Sequence, residues 1–101
     1  MARDERHGVS TTHGSVLAVV RDALATVLER DPATITEHTT LAELETDSLA
    51  LVEVAEIVEE QLAARTGRPL HIPDADLESF RTVGDAADYL VAYGGAAAWT
   101  G

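Results

Sequence analysis

The side chain with the most chemical potential in this sequence is Ser48, within the stretch ETDSLALVEVAEIVEEQL, Glu45 to Leu62. That stretch holds six acidic residues and no basic one, and the serine stands where the spacing turns helical. A hydroxyl in that place has three possible uses. It can cap the helix, as Thr46 and Asp47 beside it also can, by accepting from the exposed N–H groups of the first turn. It can act as a nucleophile, which requires a base and an orienting partner within hydrogen-bond reach. It can serve as an attachment point, because a helix N-terminus offers free N–H donors and positive dipole to a phosphate.

The nucleophile reading has little support. The four histidines, His7, His13, His38 and His71, are scattered, and no G-x-S-x-G elbow is present. Capping and attachment both stay open on the residues alone. Asp47 and Thr46 make Ser48 dispensable as a cap. Leu49 and Val52 lie off the apolar stripe of their helix and so stand beside the serine partly exposed. Glu53, Glu56, Glu59 and Glu60 also fall off that stripe. They form either a solvated face or a docking surface for basic patches on other proteins.

Composition narrows the partners. The 101 residues suit one domain. The formal charge is −11, with no lysine and seven arginines. Phosphate backbones and anionic membrane surfaces would repel such a chain, so neither nucleic acid nor membrane is an expected partner. The chain has no cysteine, which excludes disulfides, thiolate metal sites and a cysteine nucleophile. Any thiol chemistry would need a cofactor. The carboxylates include no EF-hand loop and the histidines no zinc spacing, so no metal site is expected. MARDERHGVSTTHGS has no apolar core of a secretion signal, and the longest nearby apolar run, VLAVV, is far short of a membrane span, so the cytoplasm is the expected compartment.

The elements that must position Ser48 are helical. Aromatics are 4% of the chain, so the core is aliphatic. A flexible tail is expected over residues 1–14, then a helix capped by Ser15 with Leu17, Val20, Leu24, Val27 and Leu28 on its apolar stripe. Asp31-Pro32 ends it. A long threonine-rich connection follows, anchored by Ile35, Leu41 and Leu44. The second helix runs from about Ser48 to Ala64 with Leu51, Ala55, Val58 and Leu62 buried, and Gly67 and Pro69 end it. A short helical turn fits after Pro73. TVGD, Thr82 to Asp85, matches a capping box and opens a last helix with Val83, Ala87, Leu90 and Val91 inward. Gly94-Gly95 closes it, and residues 94–101 form a second tail in which Trp99 is a frayed residue or a packing lid. The fold class is all-α: a bundle of three longer helices and a short third one, with a long first loop and its domain over residues 15–93.

Taken together, TDSLALVEVAEIVEEQL and the downstream IPDADLESFRTVGDAADYL resemble the acyl carrier proteins over roughly residues 15–92. The D-S-L tripeptide alone is weak. Its combination with I-P-D and T-V-G-D-A-x-x-Y-L at the right distance is what carries the resemblance. The resemblance implies a four-helix bundle and a carrier rather than an enzyme. It matches Ser48 to the serine that receives 4′-phosphopantetheine from coenzyme A, whose thiol holds acyl groups as thioesters. It matches Asp47 to the acidic residue that helps the phosphopantetheinyl transferase engage. Leu49, Val52, Glu53, Glu59 and Glu60 match partner-contacting positions, with Glu56 on the same acidic helix. Leu44, Val54, Val58, Leu62, Ile72, Ala86 and Leu90 would surround a core that opens for an acyl chain. The expected partners are the transferase and acyl-loading and acyl-processing enzymes with basic docking patches, engaged by a monomer.

The sequence departs from the family pattern at Glu45, where a glycine is usual, at Ala50, usually acidic, and at Glu56, usually apolar. AARTGRPLH lengthens the link after the second helix relative to fatty-acid carriers, which, with the composition, leans toward a stand-alone carrier of polyketide or other natural-product synthesis, with fatty-acid synthesis as the other pathway. Two other readings compete. An aminoacyl or peptidyl carrier would more often show G-G-x-S and weaker acidity. An acidic helical interaction module would use Ser48 only as a cap.

Overall fold

In the computed structural model, backbone is described for residues 2–67 and 69–94, and side chains for 13–67 and 69–92. Four helices follow one another: α1 (Ala2–Leu28), α2 (Ser48–Thr66), α3 (Asp74–Leu77) and α4 (Val83–Gly94). A short 3-10 turn, Pro32–Thr34, lies in the connection between α1 and α2. The described residues contain no strand, only a single bridge between Thr40 and Thr82. The bundle is all-α with three long helices and one short one, as the spacing predicts. No described helix is long and apolar enough to cross a membrane.

The start of α1 differs from the expectation. The backbone is helical from Ala2, so Ser15 lies inside the helix and is not its N-cap. The sequence before Ser15 has no proline, and isolated glycines such as Gly8 and Gly14 weaken a helix by about 1 kcal/mol each without ending it. His13 also ties this turn to α4, its Nε2 lying 2.9 Å from Asp88 Oδ1. The C-terminal end is stopped before Pro32 is reached. Glu29 takes a left-handed φ of 56°, and the Arg30 N–H returns 3.0 Å to the Ala25 carbonyl, so an otherwise orphaned carbonyl is satisfied. The expectation for Trp99 lies outside the described residues.

The core is aliphatic. Val16, Val19, Val20, Ala23 and Leu24 of α1 meet Val54, Ala55, Val58 and Leu62 of α2 and Val83, Ala86, Ala87 and Leu90 of α4. The stripes are rotated slightly from those read in the sequence. Leu17, Val27, Leu28, Leu51 and Val91 are only partly buried, while Val16, Val19, Val54 and Ala86 are fully inside. Ile35, Leu41 and Leu44 are buried as anchors of the long loop. Burying each such leucine contributes roughly 2 kcal/mol.

Two capping boxes fasten that loop to α4. In the expected one, the Asp85 N–H donates to Thr82 Oγ1 at 3.0 Å, and Asp85 Oδ2 accepts from the Thr82 and Arg81 N–H groups, each at 3.1 Å. The other is Thr40 with Glu43, where the Thr40 N–H reaches Glu43 Oε1 at 2.8 Å and the Glu43 N–H reaches Thr40 Oγ1 at 3.0 Å. Backbone bonds Leu41 N to Arg81 O and Val83 N to Thr39 O, at 2.9 and 3.0 Å, lock the two boxes side by side.

The backbone N–H groups of Thr82 and Arg81 hold the Asp85 carboxyl below its ordinary pKa of 3.8. A carboxylate depressed in the folded state contributes stability that is complete above the unfolded value and is lost as pH falls through the folded one. The gap in melting temperature between the wild type and Asp85→Asn is therefore expected to be widest above about pH 4 and to close on further acidification. Thermal melts from pH 6 down to pH 3 check this, and a gap that does not change with pH would contradict it.

Candidate functional site

Ser48 is the first residue of α2 and is exposed. Asp47 is the cap: its backbone is extended and its Oδ1 accepts from the Ala50 N–H at 2.8 Å. The Ser48 hydroxyl has no hydrogen-bond partner among the described residues, so the helix does not depend on it. Thr46 does not cap either. Its Oγ1 is buried and finds no partner among the described residues. The three candidate caps are thus sorted by the structure into one cap, one buried hydroxyl, and one exposed hydroxyl at the positive end of a helix.

Glu45 explains how the chain enters α2. Its φ is 58°, in the left-handed region. The Glu45 N–H donates to Ala42 O at 3.0 Å and the Thr46 N–H to Leu41 O at 3.1 Å, so a turn closes here before α2 opens. An L-residue in this conformation costs roughly 1–2 kcal/mol, which a glycine would avoid. The side chain is exposed and has no contact that requires glutamate. Glu45→Gly is expected to raise stability by about 0.5–1 kcal/mol after the extra unfolded-state entropy of glycine is counted, measurable as a higher melting temperature. A lower melting temperature would show that the glutamate side chain has a stabilising role.

One face of α2 exposes apolar and acidic side chains together. Leu49 is 69% exposed and Val52 40%, and these are the large apolar side chains most open to solvent among the described residues. Leu49, Val52, Glu53, Glu56 and Glu60 recur at helical spacing and are all exposed. They form a stripe roughly 16 Å long leading away from Ser48. Glu59 does not belong with them. It is half-buried on the flank of that stripe, where its Oε2 accepts from the Ile72 N–H at 2.7 Å and lies 3.5 Å from His71 Nδ1. Sequence spacing cannot separate Glu59 from Glu60; only the approach of the segment before α3 does.

Beneath the site lies an apolar cavity of about 30 Å³. Leu51, Val54 and Val58 of α2, Ile72 and Leu77 around α3, and Leu90 of α4 are among its lining residues. Of the seven residues expected around an opening core, Val54, Val58, Ile72, Ala86 and Leu90 line this cavity, whereas Leu44 and Leu62 are buried elsewhere. Leu51 is three residues from Ser48, so the cavity starts about one turn below the hydroxyl.

Some contacts around the site are not legible in the sequence. The Tyr89 hydroxyl donates to Asp76 Oδ2 at 2.6 Å, and the Phe80 and Tyr89 rings meet edge to face at 5.2 Å. Thr40-x-x-Glu43 carries the same capping signature as Thr82-x-x-Asp85 and was open to detection by that pattern.

The sequence that builds this site has relatives. A family model described as "Phosphopantetheine attachment site" matches residues 18–90. The chain is 35% identical over 77 residues to an acyl carrier protein of Lactobacillus acidophilus, covering 75% of this chain and 89% of that one. It is 31% identical over 83 residues to a meromycolate extension acyl carrier protein of Mycobacterium leprae, covering 81% of this chain and 67% of the relative. An acyl carrier protein of Clostridium perfringens is 41% identical over 54 residues, 54% of this chain and 63% of the other.

Proposed function

The chain belongs to the acyl carrier protein family, and from that premise we propose that Ser48 is its attachment residue. As a member it is a carrier of 4′-phosphopantetheine and not itself a catalyst. The observation that carries the assignment to Ser48 is that its hydroxyl is exposed at the N-terminus of α2 while Asp47 does the capping. In the attachment step the Ser48 oxygen displaces adenosine 3′,5′-bisphosphate from coenzyme A, a phosphodiester forms, and the hydroxyl proton leaves to a base of the transferase. The orphan N–H groups of the first turn favour that negative charge. When bound, the group supplies a thiol on a long flexible arm that takes acyl cargo as a thioester. Full-length protein incubated with coenzyme A and a broad-specificity phosphopantetheinyl transferase should gain the mass of one phosphopantetheine. No gain under conditions that modify a control carrier would overturn the reading.

Carrier proteins of this family work with transferases and biosynthetic enzymes. The docking face proposed here is Leu49, Val52, Glu53, Glu56 and Glu60, whose exposed apolar pair and three carboxylates suit partners with basic patches. Glu59, on its flank, is the fourth acid of that face, partly buried where it accepts from the Ile72 N–H. Glu53→Arg and Glu60→Arg should slow loading or transfer by roughly ten-fold at low salt, with the effect shrinking as salt screens the field. Circular dichroism should remain unchanged, because both side chains are exposed. Unaltered rates for every partner step would remove the docking face. The carrier domain proposed is residues 15–93, acting as a cytoplasmic monomer. The acidity of α2 and the long 67–73 link favour a stand-alone carrier of specialised acyl synthesis, and loading from acyl-coenzyme A rather than by an amino-acid-activating enzyme separates this from the peptidyl-carrier alternative.

A further inference from the structure

Three carboxylates precede Ser48 on the way into α2: Glu43, Glu45 and Asp47. Two of them are committed within the chain. Glu43 Oε1 accepts from the Thr40 N–H and Asp47 Oδ1 from the Ala50 N–H, each at 2.8 Å. Glu45 is exposed, and its side chain has no hydrogen-bond or ionic partner among the described residues. Its backbone holds a φ of 58°, which a glycine would adopt without steric cost. The chain thus keeps a free carboxylate where local structure favours glycine, and strained positions of this kind cluster at functional sites. Three residues separate Glu45 from Ser48, so their α-carbons lie at most about 11 Å apart. The stripe of Glu53, Glu56 and Glu60 leads away from Ser48 in the other chain direction. Glu45 therefore extends the negative surface to the N-terminal side of the serine.

The attachment chemistry gives that charge a consequence. Coenzyme A brings its phosphates to Ser48, and a free carboxylate so close repels them unless the partner interposes a cation. We propose that Glu45 is a specificity-determining residue that selects transferases presenting an arginine or lysine to the N-terminal side of Ser48. Partners without that cation leave the carboxylate facing the phosphates and are penalised. Glu45 acts on binding and not on the reacting atoms. The proposal rests on Ser48 being the attachment residue.

Steady-state loading of the full-length protein from coenzyme A by a broad-specificity phosphopantetheinyl transferase tests it. At about 0.1 M salt, Glu45→Gln should raise KM for the carrier about three- to five-fold with kcat unchanged, as expected for the loss of one exposed ion pair. At about 1 M salt, where the screening length is about 3 Å, variant and wild type should agree within about 1.5-fold. Glu45→Asp keeps the charge and should stay within about two-fold of the wild type. Glu45→Gly should lose affinity as the glutamine variant does while melting higher, which separates the effect from folding. Asp22→Asn is the control. Asp22 shares a groove with Gln61, about 20 Å along α2 from Ser48, and its loss should change KM by less than about 1.5-fold. An unchanged or lower KM for Glu45→Gln, a difference that salt does not reduce, an equal effect of Asp22→Asn, or no rescue by aspartate would overturn the selectivity role and leave Ser48 in place. A wild type that gains no phosphopantetheine would overturn the Ser48 assignment and this proposal with it.

Discussion

Ser48→Ala is expected to remove phosphopantetheine uptake completely while leaving the fold and its stability almost unchanged. By intact mass the wild type should gain one phosphopantetheine and the variant none. The separation of effects follows from the N-terminus of α2. Had Ser48 been the cap, its loss would cost roughly 1 kcal/mol and the first turn would fray. Asp47 takes that duty, accepting from the Ala50 N–H at 2.8 Å, and the Ser48 side chain is exposed. Alanine at that position keeps every described hydrogen bond of the turn. Asp47→Ala is the informative contrast, since it should lower the melting temperature by several degrees, as expected for about 1 kcal/mol in a domain of this size. A Ser48→Ala protein that still gains the full mass would move the attachment elsewhere. One that melts several degrees lower would return Ser48 to a structural role.

The largest effect on stability is expected at a residue with no side chain. Gly84 is the second residue of α4 and is buried. A methyl group there would lie 2.9 Å from the Glu37 carbonyl oxygen and 3.2 Å from Glu37 Cβ. The close approach exists because the Gly84 N–H donates to that same carbonyl at 2.8 Å. Gly84→Ala cannot keep both the bond and the contact distance, since the obstacle is backbone and not the end of a flexible side chain. The loop over residues 37–41 must shift, and with it the Val83–Thr39 and Leu41–Arg81 bonds. We expect a loss of about 2–3 kcal/mol, a drop of roughly 10–20 °C in melting temperature. Phosphopantetheine uptake by the folded fraction should be retained, because α2 keeps its own Asp47 cap and the Ser48 hydroxyl stays exposed. A melting temperature within about 2 °C of wild type would show that the loop yields without cost.

Much of this was legible from residue types and spacing. Apolar periodicity located α2 and α4 to within a residue or two, because those helices carry their own end signals: Asp47 before α2, Gly67 after it with a φ of 74°, and the Thr82–Asp85 box before α4. The long loop was recognised by its threonines and its three apolar anchors, all of which are buried. The start of α1 was not legible, because a serine in a polar stretch looks the same whether a helix begins there or passes through. Glu45 stood out as a departure from pattern, and its left-handed backbone identifies what a glycine there would relieve.

The roles of individual side chains divide along a physical line. Local chemistry depends on neighbours one to four residues away, so the sequence by itself determined that a hydroxyl stands at the positive end of an acidic helix and that the fold is an aliphatic helical bundle. It could not tell which of four glutamates on α2 faces another segment. Glu59 and Glu60 are adjacent in the chain, yet Glu59 meets the Ile72 amide thirteen residues away while Glu60 meets solvent. Asp76 and Tyr89 are likewise thirteen residues apart. Such contacts arise only when helices have packed and brought groups distant in the chain within 3 Å of each other. Tertiary structure alone therefore decided that Glu59 bonds the Ile72 amide while Glu60 does not, that the four-residue α3 is held by side chains of α2 and α4, and that Gly84 lies too close to the Glu37 carbonyl for a side chain.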